Sequence, residues 1–176
     1  NFIPIKLLMH WQRAGHKPVA LMGGGTGLIG DPSGKSAERQ LMTRDRVEQN
    51  LAGQRRIFER LLDFDAGPRA ATLVNNLDWL APISFIDMLR DVGKYFSVNA
   101  MIQRDSVRDR LQNREQGISY TEFSYMILQA YDFLHLHRHS GITVQMGGSD
   151  QWGNIVSGSD LIRRMHGGGD VSSETT

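Results

Sequence analysis

Three stretches of this chain set polar residues and glycines where a small ligand could be held. In the first, Gly23-Gly24-Gly25-Thr26-Gly27-Leu28-Ile29-Gly30 runs into Asp31-Pro32-Ser33-Gly34-Lys35. Gly25 to Gly30 spells G-x-G-x-x-G directly after an apolar run, as a dinucleotide fingerprint would. That fingerprint needs its last glycine inside a starting helix, whose amino end holds the pyrophosphate. Pro32 and Gly34 would break such a helix, and no second strand ending in a ribose-binding acid follows. Gly34-Lys35-Ser36 resembles the end of a P-loop, but Ile29 stands where G-x-x-x-x-G-K-[ST] requires Gly, and counting from Gly30 leaves the loop one residue short. Asp31 nonetheless sits just beyond the carboxyl end of an expected strand, where open α/β sheets bind ligands. Lys35 and Arg39 follow as a phosphate partner would, and a surface loop is the bland alternative.

The second stretch is Phe123-Ser-Tyr-Met-Ile-Leu-Gln-Ala-Tyr-Asp-Phe-Leu134. At 100° per residue, Phe123, Ile127, Ala130 and Leu134 share one side of a helix, and Tyr125, Gln129 and Asp132 share a narrow arc opposite. A solvated face is normally built from Lys, Glu and Arg, yet this stretch carries a single charge. A helix so nearly apolar all round is buried, and its polar groups then need partners. Those partners are either a small polar ligand with a hydroxyl or amine, or a satisfied network in the core.

The third is Gln145-Met-Gly-Gly-Ser-Asp-Gln-Trp-Gly-Asn154. Gly147 and Gly148 let a ligand approach the backbone, a helix start offers free N–H groups to an anion, and Asp150 can accept two ribose hydroxyls. A tight turn with a helix cap would explain the same residues. Two such junctions in one sheet favour a nucleotide site. His135, His137 and His139 alternate along a helix and so point in different directions, which fits solvated helix-end histidines better than a metal site.

The elements that must hold these groups are legible from periodicity. Helices are expected over 2–14, closed by Gly15, from near Thr43 to Leu62, from Pro82 to Gly93, over 104–114 as a charged and solvated helix, from a Ser119-x-x-Glu122 capping box to about Arg138, and from Ser149 or Asp150 to Gly167. Strands are expected at 19–22, 71–74 and 142–146. Strands alternating with helices imply an α/β fold with a parallel sheet. The length, 176 residues, suits one domain, and residues 171–176 carry no pattern. With 20 Lys+Arg against 19 Asp+Glu, bulk charge would not hold nucleic acid, though a local patch could. The absence of cysteine excludes a disulfide scaffold, a thiol nucleophile and a zinc–thiolate site. No apolar run approaches membrane-spanning length and no signal peptide is evident, so a cytoplasmic setting is expected, or an organellar matrix if a transit peptide has been removed.

Segments 23–35, 123–132 and 145–154 closely resemble the bacterial or organellar tyrosyl-tRNA synthetases, class I enzymes. Asn75-Asn-Leu-Asp-Trp79 and Arg90-Asp-Val-Gly-Lys-Tyr-Phe-Ser-Val-Asn99 are similar to the same family, and the likeness runs from Phe2 to about Gly167. It implies a Rossmann-like parallel sheet with flanking helices, spanning 1–170, and a helical insertion at about 82–118. It also implies a two-step reaction: tyrosine's carboxylate attacks the α-phosphate of ATP, accompanied by Mg2+, and the tyrosyl group then passes to tRNA(Tyr). No tightly bound cofactor or resident metal is implied.

By this resemblance Asp132 would bond the substrate phenol, and Asp31, Tyr125 and Gln129 its ammonium. Asn76 and Gln145 would line the pocket, with Gln151 near the carboxylate and α-phosphate. Gly147, Gly148 and Asp150 would take the ribose of ATP. Lys35 and Arg39 would steady the pyrophosphate, Asn99 and Arg104 would lie near the tRNA acceptor stem, and Tyr120 with the helices of residues 82–111 would pair two subunits. The family's His-Ile-Gly-His motif would end where the chain starts at Asn1, and its Lys-Met-Ser-Lys-Ser loop is not found before Thr176. The chain is thus expected to be part of a catalytic domain, able to bind tyrosine without useful activation. A tryptophanyl relative and a synthetase-like RNA-binding protein are the rival readings.

Overall fold

The computed structural model describes residues 2–32, 40–112 and 117–167. Helix α1, Phe2–Arg13, leads into strand β1, Val19–Met22, and a single turn, α2, Thr26–Ile29. Helix α3, Arg44–Leu61, crosses to strand β2, Thr72–Asn75, which pairs parallel to β1 with Ala20 opposite Leu73. Thr43 caps α3 with its hydroxyl, which accepts from the Arg46 N–H at 3.3 Å. Apolar residues of α1 (Ile5, Leu8, Met9) and the end of α3 (Phe58, Leu62) close over Ala20, Met22 and Leu73. This is one βαβ unit with its helices packed on the strands, the arrangement that parallel pairing demands.

Beyond β2 the chain is helical. Short helices α4, Leu77–Leu80, and α5, Phe85–Asp87, are followed by a π-helical turn at Met88–Val92, a 3-10 turn at Gly93–Tyr95, then α6, Val98–Ile102, and α7, Asp105–Gln112. The helix expected over 82–93 therefore starts later, where the Ser84 hydroxyl accepts from the Asp87 N–H, and it widens before Gly93 instead of closing there. The expected solvated helix at 104–114 is also corrected. Val107 and Arg110 are buried, and Arg110 donates to Glu122 at 2.9 Å and to the Gly117 carbonyl at 2.9 Å.

Helix α8, Tyr120–Ser140, is the spine of this half. Ser119 caps it by accepting from the Glu122 N–H, and Gly141 ends it in the left-handed region. Ala130 and Leu134 pack on Leu161 of α9, Trp152–Gly167, and Met126 packs on Met101 and Val107. A 3-10 turn, Ser149–Gln151, precedes α9.

The third expected strand is not formed, because residues 142–148 have no regular structure. A strand exists only where another lies about 4.8 Å away to complete its ladder. Here Val19–Leu21 of β1 and Ile142, Val144 and Met146 border the same cavity, so open space separates them. No helix of the described residues is long and apolar enough to cross a membrane.

Candidate functional site

The site gathers at the carboxyl ends of β1 and β2. Asn76, wholly buried, is its hub. Its Oδ1 accepts from the Gly25 N–H at 2.7 Å and the Thr26 N–H at 3.4 Å, so one side chain caps the turn that follows β1. Its Nδ2 donates to Thr26 Oγ1 at 2.9 Å and to Asp132 Oδ2 at 2.8 Å. Trp79, one turn further along α4, donates its indole Nε1–H to Asp132 Oδ1 at 2.7 Å. Asn75 accepts from the Gly24 N–H at 3.0 Å. The Asn-Asn pair thus ties the glycine segment to β2, while Asn76 and Trp79 tie β2 to α8.

Asp132 is 2% exposed. Burial pushes its carboxyl up to about 6, against the donors Asn76 and Trp79, which pull it down. At neutral pH it is a carboxylate with one donor on each oxygen and a further lone pair on each free for an incoming hydroxyl. Tyr125 is buried and Gln129 half-buried, so the polar arc of α8 does lie inside the protein.

A second constellation links the other two junctions. Gln151 Nε2 donates to Asp31 Oδ2 at 2.8 Å and to Asp150 Oδ2 at 3.0 Å, and its Oε1 accepts from Asn154 at 3.1 Å. Residues 120 positions apart meet here. A cavity of about 380 Å³ is lined by Gln129, Gln145, Gly147, Gly148 and Gln151, together with apolar groups of α1 and β1. Gln145 Oε1 is buried with no hydrogen-bond partner among the described residues, an acceptor of the kind an ammonium group would satisfy. Gly147 is required sterically, since a Cβ there would stand 2.9 Å from Gln151 Cβ.

A wider groove of about 850 Å³ lies between the end of α1 and the end of α3, lined by Arg13, Arg60, Arg69, Glu59, Asp63 and Asp65 among others. It touches none of the glycine junctions, and its opposite charges lie together, so the smaller cavity is the candidate; Gln129, Gln145 and Gln151 line it, whereas Asp132, Asn76, Tyr125 and Asp31 lie outside its lining.

The remaining sequence-derived residues scatter. Lys35 and Arg39 lie outside the described residues. Asn99, Asp150 and Tyr120 are exposed, and Arg104 borders a small cavity with Asp160 and Arg164. Sequence reasoning missed Thr26, Trp79 and Gly158. Trp79 stands one helical turn after Asn76, a spacing that signals a shared face. Gly158 left no such signal. It matters because a Cβ there would meet Phe133 of α8 at 2.9 Å, so at this crossing point α9 leaves no room for a side chain.

The family model described as tRNA synthetases class I (W and Y) matches residues 1–173. A tyrosine--tRNA ligase of Opitutus terrae is 56% identical over 167 residues, covering 95% of this chain and 39% of that protein. One from Staphylococcus carnosus is 57% identical over 167 residues, with the same coverage, 95% and 39%. Among solved structures, a C-terminally truncated mitochondrial tyrosyl-tRNA synthetase of Aspergillus nidulans superposes with a TM-score of 0.79 at 28% identity, over 98% of this chain and 50% of that one. The chain therefore spans about two fifths of the curated relatives it matches, 39% of each of these two.

Proposed function

This chain belongs to the class I tRNA synthetases of the tryptophan and tyrosine (W and Y) family, and from that premise we propose that it is the tyrosine-binding portion of a tyrosine–tRNA ligase. The observation that carries the choice of amino acid is Asp132, a buried carboxylate braced by two donors on the one polar arc of α8. A phenol hydroxyl donates to such a group. Phenylalanine would bury the carboxylate against a C–H and leave it short of a partner, which is costly in a dry site. Gln129, Tyr125 and Asp31 take the ammonium group, helped by Gln145 Oε1, while Asn76 braces Asp132 from the pocket wall.

The reaction needs no covalent enzyme intermediate. The tyrosine carboxylate is already a nucleophile: its oxygen bonds to the α-phosphorus of Mg2+-ATP as the bond to pyrophosphate breaks, giving tyrosyl-adenylate. The terminal ribose hydroxyl of tRNA(Tyr) then attacks the tyrosyl carbonyl and AMP leaves. Catalysis of this kind is alignment plus stabilisation of charge growing on phosphate. Gln151 holds the carboxylate near the α-phosphate, Gly147, Gly148 and Asp150 hold the ribose, and Lys35 and Arg39 steady the pyrophosphate. Asn99 and Arg104 face the acceptor stem, and exposed Tyr120, Phe85, Ile86 and Leu89 are surfaces for a second subunit. The setting is cytoplasm or an organellar matrix.

Calorimetric titration of the chain with L-tyrosine and L-phenylalanine tests the amino-acid assignment. Heat with tyrosine alone, lost in Asp132→Ala while circular dichroism stays helical, supports it. Equal binding of both amino acids, or tyrosine binding unchanged in Asp132→Ala, would sink it. Selective binding of tryptophan would move the reading to the sister activity.

A further inference from the structure

His135 has no part in the two constellations above, yet it is stacked against the residue that braces Asp132. On α8, Asp132, His135 and His139 follow at spacings of three and four, so they share a stripe of the helix. This corrects the expectation that these histidines point apart into solvent: His135 and His139 stack, and His135 is half-buried. The His135 ring lies on the Trp79 indole with centroids 4.5 Å apart and planes 12° from parallel, and His139 stacks on its other side at 4.2 Å and 19°. Tyr131 adds a tilted contact to His135 at 6.3 Å. The three stacked rings form a ladder that begins at the indole donating to Asp132.

We infer that His135 is a positioning residue for phenol selectivity, its ring clamping the Trp79 indole so that Nε1–H stays on Asp132 Oδ1. The inference rests on the reading of Asp132 as the phenol acceptor. A single hydrogen bond fixes the distance from donor to acceptor but leaves the indole plane free to swing about it. The stack removes that freedom, because sliding the indole sideways would forfeit the aromatic contact. With Nε1–H fixed on one lone pair of Oδ1, the other points where a substrate hydroxyl would donate. Burial, and then the neighbouring His139, hold the His135 imidazole below its ordinary value, so its ring is neutral at pH 7. The ionisable groups around this ladder are Asp132, Tyr131, His139 and, acting on Tyr131 from further along α8, Arg138.

Indole N–H exchange and amino-acid selectivity, measured on the same variants, test this. The chain has three tryptophans, and Trp79→Phe assigns the Trp79 indole resonance in a nitrogen–proton spectrum. His135→Leu keeps bulk and helix preference but removes the ring face, His135→Ala removes both ring and bulk, and His135→Phe restores a ring. The expected result is faster Trp79 indole exchange, and a fall of about tenfold in the ratio of tyrosine to phenylalanine affinity, in the Leu and Ala variants. In His135→Phe both quantities return to within about twofold of the parent. Unchanged indole exchange and selectivity in whichever of the Leu and Ala variants folds, with a parent that prefers tyrosine, would overturn the inference and leave the tyrosine reading standing. A parent that binds both amino acids alike would overturn that reading, and with it a role for His135 in selectivity. Failure of His135→Phe to restore selectivity lost in the other two would show that the imidazole acts otherwise than as a stacking ring, and would equally overturn it.

Discussion

Asp132 carries two opposed consequences of one burial. In the free protein its carboxyl titrates near 6, above the ordinary 3.8, so the folded state holds the proton more tightly than the unfolded chain does. Its contribution to stability is therefore fully present below about pH 4 and is lost as pH rises through 6, amounting to roughly 3 kcal/mol by neutrality. Tyrosine binding runs the other way, since a phenol donates a stronger, charge-assisted hydrogen bond to the carboxylate than to the protonated acid. Tyrosine affinity should be level above pH 6 to 7 and fall about tenfold per unit below 6. Urea unfolding of parent and Asp132→Asn from pH 4 to 8 checks the first half, where the difference in stability between the two should change by about 3 kcal/mol across the range. Titration with tyrosine over the same range checks the second, and an affinity that ignores pH would show that this carboxylate does not receive the phenol.

Helix α8 was the most readable element, and the reasons are local. Its cap at Ser119, the single charge over 123–134 and the polar arc at 125, 129 and 132 are properties of neighbouring residues, and the helix forms with that arc inside the protein. Residues 142–146 look equally good as a strand, but strand formation depends on a partner's position in space, which no local pattern encodes. The burial of Arg110 is invisible for the same reason: a charged helix reads as solvated until Glu122 meets it from another element. That pair is 3% and 2% exposed at its side chains, with Arg110 Nη1 lacking a partner among the described residues. Glu122→Ala would strand a guanidinium in the seam between α7 and α8, at a cost of about 3–5 kcal/mol. Arg110→Met with Glu122→Leu removes both charges and should recover most of that loss. Chemical denaturation of the single and double variants measures it, and additive losses would mean that the pair is not coupled. Trp79, likewise, becomes a site residue only once α4 lies against α8.

Across the whole molecule, the buried apolar clusters fall into two groups. One joins α1, β1 and the end of α3, while the other two lie on α8 with α6, α7, α9 and the π turn. The groups are bridged at the site by Asn76 and Trp79 on Asp132, and by Gln151 on Asp31. The polar site is thus also the seam, and a ligand held by Asp31, Gln129 and Asp132 would fasten both halves at once. Asn76→Ala removes the acceptor of the Gly25 and Thr26 N–H groups and one donor to Asp132, leaving buried groups unmatched, so a loss of about 2–4 kcal/mol is expected. The pattern of that loss is the sharper test. Backbone hydrogen exchange should quicken at residues 24–26 and along β1 and β2, while Ala130, Leu134 and Leu161, packed in their own apolar cluster, keep their protection. Uniform loss of protection across both halves would mean that the chain unfolds as one unit through its apolar contacts, with the site riding on that core and not joining it. If instead the loss is confined to the β1–β2 side and tyrosine slows exchange on both sides, binding and assembly of this domain draw on the same few hydrogen bonds.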